Sequence, residues 1–151
     1  MDEATVTIDA EPSRVWATIT DITRMGEWSP ECRGGRWVGG AAGPAAGARF
    51  IGSNAHGLVR WRTHCQVVVC EPETRFAFTV AESGMTWGWR VDPEDGGTRL
   101  TQWRDHTSKT PLVARIATGS GLLGKNRETL MVDGMHRTLE AVKTRLERMP
   151  V

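Results

Sequence analysis

The sequence predicts an α+β fold: a curved antiparallel sheet of about seven strands wrapped around a long C-terminal helix, with two short helices after strand 1. Three observations carry this prediction. Period-2 alternation recurs in short segments from residue 33 to about residue 107, separated by Gly, Pro, Asp and Asn. Apolar residues recur at helical spacing over Arg127 to Arg148, and one strand pattern with two short helical patterns precedes the run of strands. Strands that follow one another, rather than alternating with helices, pair antiparallel through hairpins.

Taken in order, Ala4 to Asp9 alternates with Val6 and Ile8 on one face, as a half-buried strand does. Pro12 at an early helical position, followed by Val15, Trp16 and Ile19, predicts an amphipathic helix ending near Asp21. Ile22 to Trp28 forms a second short helix, closed at Ser29-Pro30 because a residue before proline resists the α region. Arg33 to Val38 and Arg49 to Asn54 are strands joined by the connection Gly39 to Gly47. In the longer strand Leu58 to Glu71, alternation turns Val59, Trp61, Thr63, Cys65, Val67 and Val69 inward, and Arg60, Arg62, His64 and Gln66 to solvent. Pro72 turns the chain; Phe76, Phe78 and Val80 then share a face, as do Trp87, Trp89 and Val91. Asp95-Gly96-Gly97 marks a hairpin, after which Thr98, Leu100, Gln102, Arg104 and His106 line one face of the last strand. Pro111, Leu112, Val113 and Ile116 open a helical segment that Gly119, Gly121 and Gly124 should break or kink. In the final helix Met131, Met135, Leu139, Val142 and Leu146 form the apolar stripe.

A length of 151 residues suits one domain spanning 1–151, and 39% hydrophobic with 25% charged residues excludes a wholly disordered or coiled-coil chain. Nineteen Lys+Arg against eighteen Asp+Glu leave a net charge of +1, far from the basic profile of a phosphate-neutralising protein, so no nucleic-acid partner is expected. Met1-Asp2-Glu3-Ala4 lacks the basic and apolar regions of a leader, and no run approaches a membrane span, which together predict a cytoplasmic protein. Cys32, Cys65 and Cys70 lack CxxC spacing and are expected as reduced thiols with no metal. Cys65 and Cys70, five apart in one strand, point to opposite faces unless a bulge intervenes. Seven Trp beside no Tyr place much indole in a core, a cavity or an interface; Trp28 and Trp37, near the loops, are the two that would serve a homodimer contact.

The layout, with Pro12-Ser-Arg-Val15-Trp16, Trp28-Ser-Pro30, Gly47-Ala-Arg-Phe50-x-Gly52-x-Asn54, Trp61-Arg-Thr63, Glu71-Pro72, Gly97-Thr98-x-Leu100 and Gly134-Met135-x-x-Thr138-Leu139, resembles the START-like, polyketide cyclase/dehydrase (SRPBCC) superfamily and its helix-grip fold. The likeness spans nearly the whole chain. It implies that a cavity between sheet and final helix takes an apolar ligand, without fixing any one activity.

The inward faces supply the candidate lining. From the strands these are Phe50, Asn54, Trp61, Thr63, Cys65, Phe76 and Phe78, then Trp87, Trp89, Leu100, Gln102 and Arg104; the helix adds Met131, Met135 and Leu139. Indole and thioether walls suit planar or lipidic ligands. A buried Arg104 needs an anionic or carbonyl partner, either a ligand or a structural carboxylate at the sheet edge. Superfamily cyclases polarise carbonyls with polar residues, arginine included, on the cavity face. Arg60 and Arg62 fall on the other face here, leaving Arg104, Thr63 and His106 as weak catalytic candidates. His64 and His136 read as surface residues, and Cys65 has no adjacent base to make it a nucleophile.

Gly119-x-Gly121-x-x-Gly124-Lys125 imitates a nucleotide-binding loop, but Asn126 stands where the P-loop hydroxyl belongs and too little chain follows for a doubly wound sheet. Residues 108–125 read instead as a lid and Gly39 to Gly47 as a flexible connection or second gate. The expectation is a cofactor-free binder of a small hydrophobic, lipid- or polyketide-like molecule. Its rivals are a polyketide cyclase/aromatase or dehydratase, and a protein-interaction domain with a filled core.

Overall fold

The computed structural model describes residues 2–29, 32–106 and 123–148, with side chains of the last helix from Asp133 onward. Strand β1 (Asp2–Ile8) leads into α1 (Pro12–Ile19) and a 3-10 helix (Ile22–Glu27). Six strands follow: β2 (Cys32–Val38), β3 (Arg49–His56), β4 (Val59–Glu71), β5 (Arg75–Val80), β6 (Met85–Glu94) and β7 (Gly97–His106). Helix α2 (Leu123–Arg148) ends the described chain. The seven strands form one sheet in the order β1-β7-β6-β5-β4-β3-β2, every neighbouring pair antiparallel.

The helix signals act as expected. Pro12 sits in the first turn of α1, where its missing N–H costs no hydrogen bond, and Val15 and Ile19 are its buried residues. Asp21 caps the 3-10 helix by accepting the Thr23 N–H at 3.2 Å. Met135, Leu139, Val142 and Leu146 bury the stripe of α2 in the core with Ile8, Val15 and Leu100; each such side chain stabilises the fold by about 2 kcal/mol. α2 is already helical at Leu123, so Gly124 lies inside its first turn. The segment from Pro111, Gly119 and Gly121, most of the 108–125 lid and the Met131 side chain lie outside the described residues.

The structure departs from the sequence reading at several points, including Val59, which alternation turned inward and which is 64% exposed. Register in β4 shifts between Val67 and Val69, so that Val67 faces Phe78, Val69 faces Ala77 and Cys70 faces Phe76. Beyond this bulge Cys70, not Val69, packs on the core, and Cys65 and Cys70 share the inner face. Trp28, expected near the surface, is 5% exposed and belongs to the core. The 3-10 helix ending beside it lies so close to β2 that a Cβ on Gly26 would meet the Arg33 carbonyl, and one on Gly35 the Ile22 carbonyl. Trp37 is half-buried, edge-on to Phe50 at 5.5 Å, so the pair of exposed indoles that argued for a homodimer contact does not form.

Candidate functional site

Antiparallel register stacks the inner-face side chains into layers across the sheet. The first runs His106–Met85–Val80–Cys65–Phe50–Trp37. The next runs Asp2–Arg104–Trp87–Phe78–Val67, and a third Ala4–Gln102–Trp89–Phe76–Cys70. Phe50 and Phe78 meet edge-on at 5.1 Å, and Trp16 of α1 meets Phe76 at 6.1 Å. All of the expected lining residues other than Met131 and Trp61 therefore do share one face or pack on it: Phe50, Asn54, Thr63, Cys65, Phe76, Phe78, Trp87, Trp89, Leu100, Gln102 and Arg104 from the strands, with Met135 beside Leu139 from α2.

Two polar side chains are embedded in these layers. Gln102 is 8% exposed, and its Oε1 has no hydrogen-bond partner among the described residues. Leaving a buried acceptor unpaired costs about 1–3 kcal/mol unless something supplies a donor. Arg104, also buried, donates from Nε to Asp2 Oδ2 at 2.8 Å across the β1–β7 ladder. A carboxylate at the sheet edge thus engages this guanidinium, and only the cross-strand register reveals which one.

At the far side of the sheet, Asn54 Nδ2 donates to Thr63 Oγ1 at 3.3 Å, and the Cys65 thiol reaches the same oxygen at 3.8 Å. The Thr63 hydroxyl occupies space that Gly52 leaves open, since a Cβ there would stand 2.6 Å from it. Burial, opposed by the Thr63 contact and reinforced by the charges of Glu82 and Cys32, pushes the Cys65 thiol up to about 12. The thiolate is thereby suppressed near neutrality, which removes Cys65 as a nucleophile. All three cysteines are free, and no cluster of metal-ligating residues occurs among the described residues. His64 is exposed and its Nδ1 pairs with Glu82. His106 and His136 are exposed too.

Trp61 stands farther out than the other lining residues, 37% exposed. It borders an open cleft of about 520 Å³ at the β3–β4 hairpin, with Arg33, Ser53, Asn54, Ala55, Arg60 and Arg62. Arg60 and Arg62 are the solvated face that alternation assigns them. No helix among the described residues is long and apolar enough to cross a membrane.

Comparison with curated proteins gives no sequence match. Among solved structures, a polyketide-cyclase-like protein of Corynebacterium glutamicum is 31% identical, with a TM-score of 0.69 over 97% of this chain and 90% of that one. A protein of Nitrosomonas europaea, 16% identical, matches with a TM-score of 0.74 over 97% of this chain and 94% of its own. The di-domain ARO/CYC protein StfQ from the steffimycin biosynthetic pathway, 15% identical, gives 0.75 over 97% of this chain and 50% of its own. The last two likenesses concern the fold alone: an open antiparallel sheet with a long C-terminal helix, the helix-grip arrangement. The model for polyketide cyclase/dehydrase and lipid transport proteins matches residues 3–148, and with the 31% identity over nearly the full length it follows that the chain belongs to that family.

Proposed function

We propose that the protein binds a small hydrophobic molecule, lipid- or polyketide-like, against the inner face of the sheet, with Gln102 and Arg104 setting its orientation. The carrying observation is the Gln102 Oε1 atom, an acceptor without a partner among Trp89, Ala4 and Leu100. A ligand hydroxyl or amide N–H would satisfy it, while the Trp87, Phe78 and Phe50 rings supply apolar contact. The family's description, which covers both cyclisation and lipid transport, supports a ligand of this kind.

The test is native mass spectrometry of freshly purified protein, followed by titration of lipids, polyketides and flavonoids against tryptophan emission. Saturable quenching at micromolar concentration is expected, weakened about tenfold by Gln102→Leu for hydroxylated ligands. A clean apo mass with no response across the panel would overturn the reading in favour of a filled core.

A second reading, cyclisation of a poly-keto chain, is favoured by the Arg104 guanidinium on the inner face. Loss of turnover in Arg104→Ala with binding retained would support it; unchanged turnover would remove it.

A further inference from the structure

The β3–β4 hairpin carries an exposed apolar tip for which the ligand reading has no use. Its strands pair up to His56 and Val59, leaving Gly57 and Leu58 as the turn. Gly57 takes the left-handed conformation, φ 62°, that a tight hairpin requires. Leu58 is 101% exposed and Val59 64%, at a place where polar residues ordinarily stand. Behind them come Arg60, Trp61 and Arg62, with Arg33 of β2 on the same cleft. Among the described residues, none of these three arginines forms an ion pair.

The order along the hairpin is what matters. The aliphatic tip is followed over the next three residues, at about 3.3 Å each, by an indole and two guanidinium groups that form no ion pair among the described residues. That sequence of depths matches a bilayer interface, where aliphatic side chains reach the acyl boundary while tryptophan and arginine lie among the headgroups. Unpaired arginines select an anionic surface, each adding about fivefold in affinity. A nucleic acid would use the arginines but gain nothing from bare Leu58 and Val59. We propose that this hairpin tip docks the protein on anionic lipid surfaces. The β4 strand that carries the tip continues inward to Thr63, Cys65 and Val67 on the inner face, so docking would set the end of that face against the membrane. The inference stands or falls independently of the ligand reading, because vesicle binding is measured on the protein alone.

The test is co-sedimentation of the full chain with phosphatidylcholine vesicles, with and without phosphatidylglycerol. The expected result is salt-sensitive binding to the mixed vesicles, at least about tenfold weaker for Leu58→Asp. The pair Arg60→Gln with Arg62→Gln should lose about twenty-fold, whereas the charge-matched pair Arg75→Gln with Arg99→Gln should bind like the parent. Leu58 touches solvent only, so far-UV circular dichroism and melting of its variant should be unchanged; Val59→Glu provides an independent second variant.

Three outcomes would overturn the proposal. The first is absence of binding to the mixed vesicles. The second is binding that survives Leu58→Asp and Val59→Glu yet vanishes with the arginine pair, the behaviour of a polyanion site such as one for nucleic acid. The third is a dimer, by light scattering, that Leu58→Asp turns into a monomer, which would assign the tip to a second copy of the chain.

Discussion

The β3–β4 and β6–β7 hairpins project from opposite ends of the sheet and follow different rules. In the β6–β7 hairpin the turn is Asp95-Gly96, with Gly96 at φ 80°, the residues a tight turn prefers. Its base is locked in: Thr98 is fully buried and donates to the Ala10 carbonyl at 2.8 Å. Lys143 and Glu147 of α2 reach over to Thr7 and Asp9 beside it. Its surroundings are acidic, with Asp9, Glu94, Asp95 and Glu147 around a shallow cleft. The β3–β4 turn is Gly57-Leu58, bare at its tip and basic at its flanks. A net charge of +1 thus conceals carboxylates gathered around one hairpin and arginines around the other, so net charge speaks for the whole surface and not for any one patch. One hairpin obeys every local rule and serves stability. The other breaks the turn rule where nothing in the fold asks for it, as functional positions do.

The largest contrast is between Gly97, the residue that opens β7 beside β1, and Gly57 in the β3–β4 turn. Gly97→Ala would bring a Cβ to 2.5 Å from the Ile8 carbonyl oxygen, a backbone atom that cannot swing aside. A loss of about 2 kcal/mol is expected in urea unfolding. Gly57→Ala meets no atom within 4 Å and pays only for its positive φ, about 1 kcal/mol. Equal losses at the two sites would remove the distinction between a packed and a projecting hairpin.

The smallest effect concerns acid. Hydrogen bonding from Lys143, then from the Asp9 N–H, lowers the Glu147 carboxyl below its ordinary 4.5. A depressed carboxylate contributes stability that is fully present above the unfolded value and is lost as pH falls through the folded one. Glu147→Gln should therefore be slightly less stable than the parent at neutrality, flatten the stability–pH curve below about 4.5, and converge with the parent in acid. A curve of parental slope would show that Glu147 is not linked to folding.

Much of the sheet was legible because alternation has period 2 and survives twisting: Phe76, Phe78, Trp87, Trp89 and Gln102 all fall on the expected face. Val69 did not, since Val67-Val68-Val69 is apolar throughout and contains no mark of where a bulge will fall. Burial of Trp28 depends on the 3-10 helix closing over Gly34 and Gly35, a long-range fit without periodicity. The faces of Gln102 and Arg104 could be read locally, while Asp2 as the partner of Arg104 required register across more than half the chain. Exposure of Leu58 and Val59 went unseen because alternation assigns a face and says nothing of how far a strand extends beyond its neighbours.

That same register has a kinetic consequence. Strands β2 to β7 are joined as successive hairpins, and each can form from neighbouring sequence as it emerges from the ribosome. Strand β1 cannot, because Asp2 pairs with Arg104 and Ile8 with Thr98. Closing a loop of roughly a hundred residues costs on the order of 4 kcal/mol in chain entropy before any contact offsets it. The first strand to be synthesised is therefore the last to be placed, and until it docks the open edge of β7 is the point at which a nascent chain can pair with the wrong neighbour.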